Sequence, residues 1–291
     1  MTVGAGPRLA RGEHGLQRAG DSPVRRVSLW QRLRRRALAV YAFLALAYLF
    51  TPIAYLTVFS FNDSGKSNIV WKGFTLDNWK NPCGAPDVCT ALGNSLKIGV
   101  ISTTVATVLG TMIAFALARH RFRGRTATNL LIFVPMATPE VVLGASLLTL
   151  FLNFRVPLGM GTIIVAHVMF CISFVVVAVK ARIASLDPAL EQAAMDLYAT
   201  EVQTFRRVTL PLVAPGIAAA ALLSLSLSFD DFIITFFNSG NVNTFPKFVY
   251  VSALRGIPAQ AYVIGVAMFY LALLIVLVAE VLRHRRERAL H

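Results

Sequence analysis

The sequence predicts an all-α integral membrane protein with six transmembrane helices. Three observations carry that expectation. Of 291 residues, 56% are hydrophobic and only 14% are charged, a balance far from that of an ordinary soluble domain. Six apolar runs reach the ~20 residues a helix needs to cross a bilayer. They lie at roughly 37–59, 94–118, 127–152, 159–180, 212–237 and 260–282. The Lys and Arg residues then favour alternate loops, as a membrane topology requires.

In chain order, residues 1–36 form a basic tail with nine arginines, rich in Gly and Pro and without periodicity. The run at 37–59 is too long for the core of a signal peptide and lacks a clear cleavage site, so it reads as an uncleaved first helix. The loop 60–93 holds Trp71 and Trp79, aromatic side chains suited to a membrane boundary. Cys83 and Cys89 share that loop and are candidates for a disulfide on the outer side, where one persists. Cys171 reads as a small buried side chain, and the cysteines make no metal-binding pattern. Ser102, Thr103, Thr107, Gly110 and Thr111 give the second span a small-residue character suited to close helix packing. Pro135, Pro139 and Glu140 interrupt the third span and Asp230 and Asp231 the fifth, yet both segments stay long enough to cross. His167, alone in the fourth, reads as a packed, hydrogen-bonded residue. A basic tail, 283–291, ends the chain.

Only seven of the 28 Lys and Arg residues (Lys66, Lys72, Lys80, Lys97, Arg155, Lys247 and Arg255) fall on one side, leaving 21 on the other. The positive-inside rule therefore places both termini and the loop 181–211 in the cytoplasm. The net charge of +14 is thus a topology signal and a contact for anionic lipid, not a nucleic-acid surface. The layout expected is a tail (1–36), a first helix (37–59), an outer loop (60–93), a core (94–282) with a polar cytoplasmic loop at 186–211, and a second tail (283–291).

Two features stand out from the apolar background. Carboxylates inside a membrane are costly and point to function. On a straight helix Glu140 lies ~20 Å along the third span and Asp230 and Asp231 ~21 Å along the fifth. They make an acidic patch able to pass a cation, with Phe229 and Phe232 as aromatic neighbours; hydrogen bonding between helices, or a cap where the fifth helix breaks, is the alternative. The second feature is Leu186–Gly216. Asp187 and Pro188 suit a helix start, and Leu190, Ala193, Ala194 and Leu197 form one stripe. Thr200 and Gln203 have the spacing of a capping box and start a second short helix carrying Val202, Phe205 and Val208. Such a pair of amphipathic helices either docks into a partner's groove or folds back on its own protein.

The loop resembles the EAA loop of inner-membrane ABC importer permeases of the type I class. Gln192-Ala193-Ala194, Val208 and Leu210-Pro211 stand at the family spacing. Two positions depart: Gln192 replaces the usual Glu, although Glu191 is adjacent, and Tyr198 replaces the usual Gly. Further strings resemble spermidine/putrescine permeases: Trp71-x-Gly73-Phe74-Thr75-Leu76-x-Asn78-Trp79, the Asn94-Ser95-Leu96 opening, Pro139-Glu140-x-Val142-x-Gly144, and Ser228-Phe229-Asp230-Asp231-Phe232 followed by Asn238-Ser239-Gly240. The resemblance implies a type I importer transmembrane domain in a bacterial inner membrane. It implies a second permease subunit, two cytoplasmic ATPase subunits that bind ATP-Mg, and an extracytoplasmic substrate-binding protein. It also implies that Glu191, Gln192, Ala193, Ala194, Asp196, Tyr198, Phe205, Leu210 and Pro211 serve coupling to the ATPase. Glu140, Asp230, Asp231, Phe229 and Phe232 would then belong to the substrate pathway. No catalytic residue, metal site or cofactor of its own is expected: the chain has no G-x-x-x-x-G-K-[ST] motif and no H-E-x-x-H or G-x-S-x-G. The alternatives are an importer for another small solute, or an ATP-independent secondary transporter, which would need paired broken helices in related halves.

Overall fold

The computed structural model describes residues 29–64 and 67–289; the expected tail lies outside it up to residue 28. The described helices are α1 (Leu29–Phe59), α2 (Asp77–Lys80), α3 (Val88–Arg119), α4 (Arg125–Ala137), α5 (Glu140–Asn153), α6 (Met160–Ala184), α7 (Ala189–Asp196) and α8 (Glu201–Thr204). A π-helical turn (Phe205–Thr209) leads into α9 (Leu210–Asp230), followed by α10 (Ile233–Asn238), α11 (Phe245–Arg255) and α12 (Ala259–Ala289). Five stretches are long and apolar enough to cross a membrane: Arg36–Phe59, Val88–Arg119, Met160–Ala184, Glu201–Asp230 and Ala259–Val278. The pair α4–α5 makes a sixth if its two limbs count as one span. The chain divides into two compact units, Met1–Pro52 and Ile53–His291. The first, as described, is the greater part of α1, exposed from Arg36 onward. The second holds the end of α1 and every helix from α2 to α12.

Within the second unit, helices α3, α6 and α9 pack against one another and form the core. The buried positions of α3 include Ser95, Gly99, Ser102, Ala106, Gly110 and Ala114, a recurrence of three or four residues that makes one stripe. Each is small. In lipid, apolar burial gives helices little reason to associate, and close backbone approach does the work instead. A Cβ on Gly110 would lie 2.7 Å from Val175 Cγ1 on α6, so that crossing admits only glycine without a shift. Of the large residues of α3, Val100, Val108 and Met112 are exposed, while Ile98 and Leu117 are buried. Ala114, Leu117, Val175, Val179 and Val213 close one end of the core, while Leu147, Phe151, Phe170 and Ile234 fill the other.

Three segments differ from the expectation. The third apolar run is two helices bent by 107°, so a depth counted along one straight helix does not apply to Glu140. Proline disfavours helical dihedrals in the residue before it, and Thr138, before Pro139, is extended at φ −82°, ψ 131°. The helix restarts at Glu140. The fifth span ends at Asp230 rather than near 237, because Asp231 is extended at φ −62°, ψ 121°. The helix begun at Thr200 is not separate: it continues through the π turn into α9 as one path, Glu201–Asp230. Pro211 lies just inside α9; its ring would clash with the carbonyl four residues back, and the wider π turn immediately precedes it. There Leu210 N–H donates to Phe205 O, five residues back.

The segment between α1 and α3 is folded around Asn62. Its amide donates to Asn68 Oδ1 (2.7 Å) and Val70 O (2.8 Å) and accepts from Lys72 N–H (2.7 Å). Trp79 Nε1–H donates to Ser60 Oγ at 3.1 Å. Cys83 and Cys89 form a disulfide, with Cα atoms 5.4 Å apart.

Candidate functional site

Where α9 ends, the chain makes a polar break inside an apolar bundle. Asp231 is only 8% exposed. It accepts from Thr235 N–H (2.8 Å), Thr235 Oγ1–H (2.9 Å) and Ile234 N–H (3.3 Å), capping α10. His167 on α6 meets it from the side, with Nε2 3.1 Å from Asp231 Oδ2 and 3.0 Å from Thr235 Oγ1. The other ring nitrogen, Nδ1, lies 2.7 Å from Ser228 Oγ on α9. One imidazole thus joins α6, the end of α9 and the start of α10. Helix α10 is fixed at its other end too: Thr162 Oγ1–H donates to Asn238 O (2.7 Å), and Asn238 Nδ2–H donates to Gly144 O on α5 (3.3 Å). A Cβ on Gly144 would come 2.9 Å from the Phe237 ring, so α5 and α10 touch closely one turn beyond Glu140.

Glu140 is the first residue of α5. Glu140 and Asp230 are exposed. Among the described residues neither side chain has an ion pair or a hydrogen bond to another residue. The three candidate acids therefore differ: Asp231 is turned inward and fully engaged, while Glu140 and Asp230 are open. An aromatic cluster follows the aspartates in the chain. Phe232 lies 4.5 Å from Tyr250 and 5.4 Å from Phe236 between ring centroids, and Phe236 and Tyr250 are both 48% exposed. Phe229 is half-buried. Lys247 on α11 donates to Ser239 Oγ (2.7 Å), Gly240 O (3.1 Å) and Val242 O (3.1 Å), and burial pushes its ammonium below the usual lysine range.

The second place, at the other end of α9, is the bracket formed by α7 and α8. Ala189 N–H donates to Asp187 Oδ1 at 2.9 Å, starting α7. Thr200 and Gln203 cap reciprocally: Thr200 N–H to Gln203 Oε1 at 3.0 Å and Gln203 N–H to Thr200 Oγ1 at 3.3 Å. No residue of α7 is buried. Gln192, Ala193, Asp196, Leu210 and Pro211 are exposed, Ala194 and Phe205 half-buried. Leu190, Met195, Leu197 and Val202 are exposed as well, so the bracket turns apolar side chains outward. Tyr198 is left-handed at φ +62° and 97% exposed. Glu191 points the other way, to Arg119 at the end of α3 and to Thr209 in the π turn.

The sequence profile described as "Binding-protein-dependent transport system inner membrane component" matches residues 106–288. The chain belongs to this family. The permease is 35% identical over 243 residues to the spermidine/putrescine transport system permease protein PotC of Escherichia coli (strain K12), covering 83% of this chain and 92% of that one. It is 37% identical over 227 residues to the putrescine transport system permease protein PotI of the same strain, covering 75% and 80%. A bacterial ABC transporter involved in the import of the acidic polysaccharide alginate has a chain of the same fold, with TM-score 0.62 and 16% identity over 88% of this chain and 97% of that one. The permease is therefore a multi-pass inner-membrane subunit of an ABC importer and not an enzyme, since ATP hydrolysis in such importers lies in a separate subunit. An ATPase and a substrate-binding protein are implied as partners.

Several residues of these sites gave no signal in the sequence. Nothing in a lone His167 identifies Asp231 as its partner 64 positions on, and Tyr250 and Phe236 read as ordinary aromatics until α10 and α11 bring them beside Phe232. Nothing in the sequence pairs Arg119 with Glu191, 72 positions on.

Proposed function

We propose that the permease forms half of a translocation pathway for an elongated organic cation, spermidine or putrescine, in an ATP-driven importer. The observation that carries this reading is that Glu140 and Asp230 are open carboxylates, each at a helix break, with Phe232, Phe236 and Tyr250 clustered just past the second break. Amines with pKa values near 10 are cations at neutral pH, and carboxylates with aromatic faces suit them. The names of the relatives PotC and PotI agree with that chemistry. Asp231 and Phe229 contribute by shaping the break from behind.

The complex envisaged holds a second permease subunit, two cytoplasmic ATPase subunits carrying ATP-Mg, and an extracytoplasmic binding protein, with both termini of this chain in the cytoplasm. The outward apolar face of α7 and α8 docks the ATPase. Its closure on ATP moves the bracket, and the spans tilt between inward- and outward-open states, a rigid-body form of alternating access.

Uptake of radiolabelled spermidine by the whole complex, competed by putrescine and by unrelated solutes, tests the cargo. Uptake falls at least tenfold in E140Q and D230N while assembly persists; full activity in both variants would end the pathway assignment. Replacing Ala193 and Ala194 by Arg abolishes co-purification of the ATPase, and intact co-purification would remove the bracket as its docking site.

A further inference from the structure

We propose that Glu191 is a positioning residue: it clamps the coupling bracket to two spans at once through Arg119 and Thr209. The inference rests on the proposed docking of the ATPase at the bracket, and it goes beyond that reading by naming how motion passes from the bracket into the bundle. A lever needs a joint that resists shear, and α7 lacks the usual one because none of its residues is buried. Its backbone neighbours are α8 and the π turn. Among the described residues the side-chain hydrogen bonds of α7 all run from Glu191 Oε1, which accepts from Arg119 Nη2–H and from Thr209 Oγ1–H, the latter at 2.6 Å. Arg119 Nη2 also lies 3.4 Å from Thr209 Oγ1, closing a triangle.

The joint is built on all sides. Arg119 is the last residue of α3, and its guanidinium stands 6.0 Å from the Phe115 ring centroid. Phe115 meets Phe205 edge-on at 5.2 Å, so the π turn is pinned to α3 at its start by an aromatic pair and at its end by Thr209. Thr209 is fully buried. Phe205 and Thr209, four residues apart and so on one face, bracket the π turn and both meet α3 side chains, and such turns recur at functional positions. The helix wears its polarity in reverse: apolar residues outward, its first-turn acid inward. Energy of stabilisation is not the reason, because a pair with 37% and 24% of its side chains exposed adds little. What the pair supplies is a fixed register between α7, α3 and α9. Gln192, at the position where the family usually has Glu, is exposed and free for the partner.

The test measures spermidine uptake and ATP hydrolysis together in proteoliposomes holding the whole complex. In E191Q the uptake per ATP hydrolysed falls about tenfold, and the reversed pair R119E/E191R recovers at least half of the wild-type ratio. T209V, which keeps both charges and loses one hydroxyl donor, falls two- to fivefold and carries the measurement should E191Q fail to assemble. An unchanged ratio in E191Q and T209V overturns the clamp. So does a reversed pair no better than the single changes, or loss of ATPase co-purification in E191Q that the reversed pair leaves unrepaired, since Glu191 would then be a partner contact. Failure of the docking itself reads out separately, as ATPase retained by the double Arg variant at Ala193 and Ala194.

Discussion

Two adjacent aspartates at the end of α9 do different jobs, and conservative replacement of each separates them. Asp231→Asn keeps the shape of the side chain and changes only its hydrogen bonding. The best placement puts the amide oxygen at the Oδ2 position, where it still accepts from Thr235 N–H, Thr235 Oγ1–H and the His167 side. The NH2 group then faces Ile234 N–H, 3.3 Å away, donor against donor. A hydrogen bond to a charged group contributes ~1.5–3 kcal/mol and a neutral one ~0.5–1.5, so three bonds each weaken by about 1 kcal/mol. Loss of a helix-cap bond adds ~1 kcal/mol. With partial relaxation the total is about 2–4 kcal/mol. At ~2–4 °C per kcal/mol for a chain of this size, the melting midpoint in detergent drops about 5–15 °C. Asp230→Asn, at an exposed side chain that bonds no other residue, shifts the midpoint by no more than ~2 °C, within the ±0.5 kcal/mol typical of surface changes. A fluorescence-detected melt of the purified permease reads both. Equal midpoints for D231N and wild type, or a fall in D230N as large as in D231N, would refute the assignment of Asp231 as a buried cap.

Two further outcomes come from backbone geometry. Gly110→Leu forces a side chain into Val175 on α6, where a Cβ alone would sit 2.7 Å from Cγ1; overpacking costs ~1–3 kcal/mol, read as a lower melting midpoint and reduced membrane yield. An unchanged midpoint means α3 and α6 do not cross at Gly110. Tyr198→Gly relieves a left-handed residue that is 97% exposed; the strain removed is ~1–2 kcal/mol, partly offset by the greater freedom of glycine in the unfolded chain. The permease melts about 1–3 °C higher, and a lower midpoint shows that the Tyr198 ring packs on something.

The sequence by itself determined that the chain is helical and membrane-spanning, because hydrocarbon leaves the backbone few other ways to satisfy its hydrogen bonds and a span announces itself by length. It also determined the bracket, since the capping pair Thr200 and Gln203 and the spacing from Gln192 to Pro211 are local in the chain. Breaks were legible as interruptions, but not as geometry: Pro139 marked a perturbation, whereas the 107° angle between α4 and α5 could not be read from it. Only the tertiary structure decided which of two neighbouring aspartates turns inward, because consecutive residues at a helix end take opposite environments according to what α6 brings to them, here His167. It likewise decided that Glu191 faces Arg119, 72 positions earlier, through a π turn that no local pattern specified. Spacing along a chain reports faces and lengths. Which face meets which neighbour is settled by packing among helices distant in sequence.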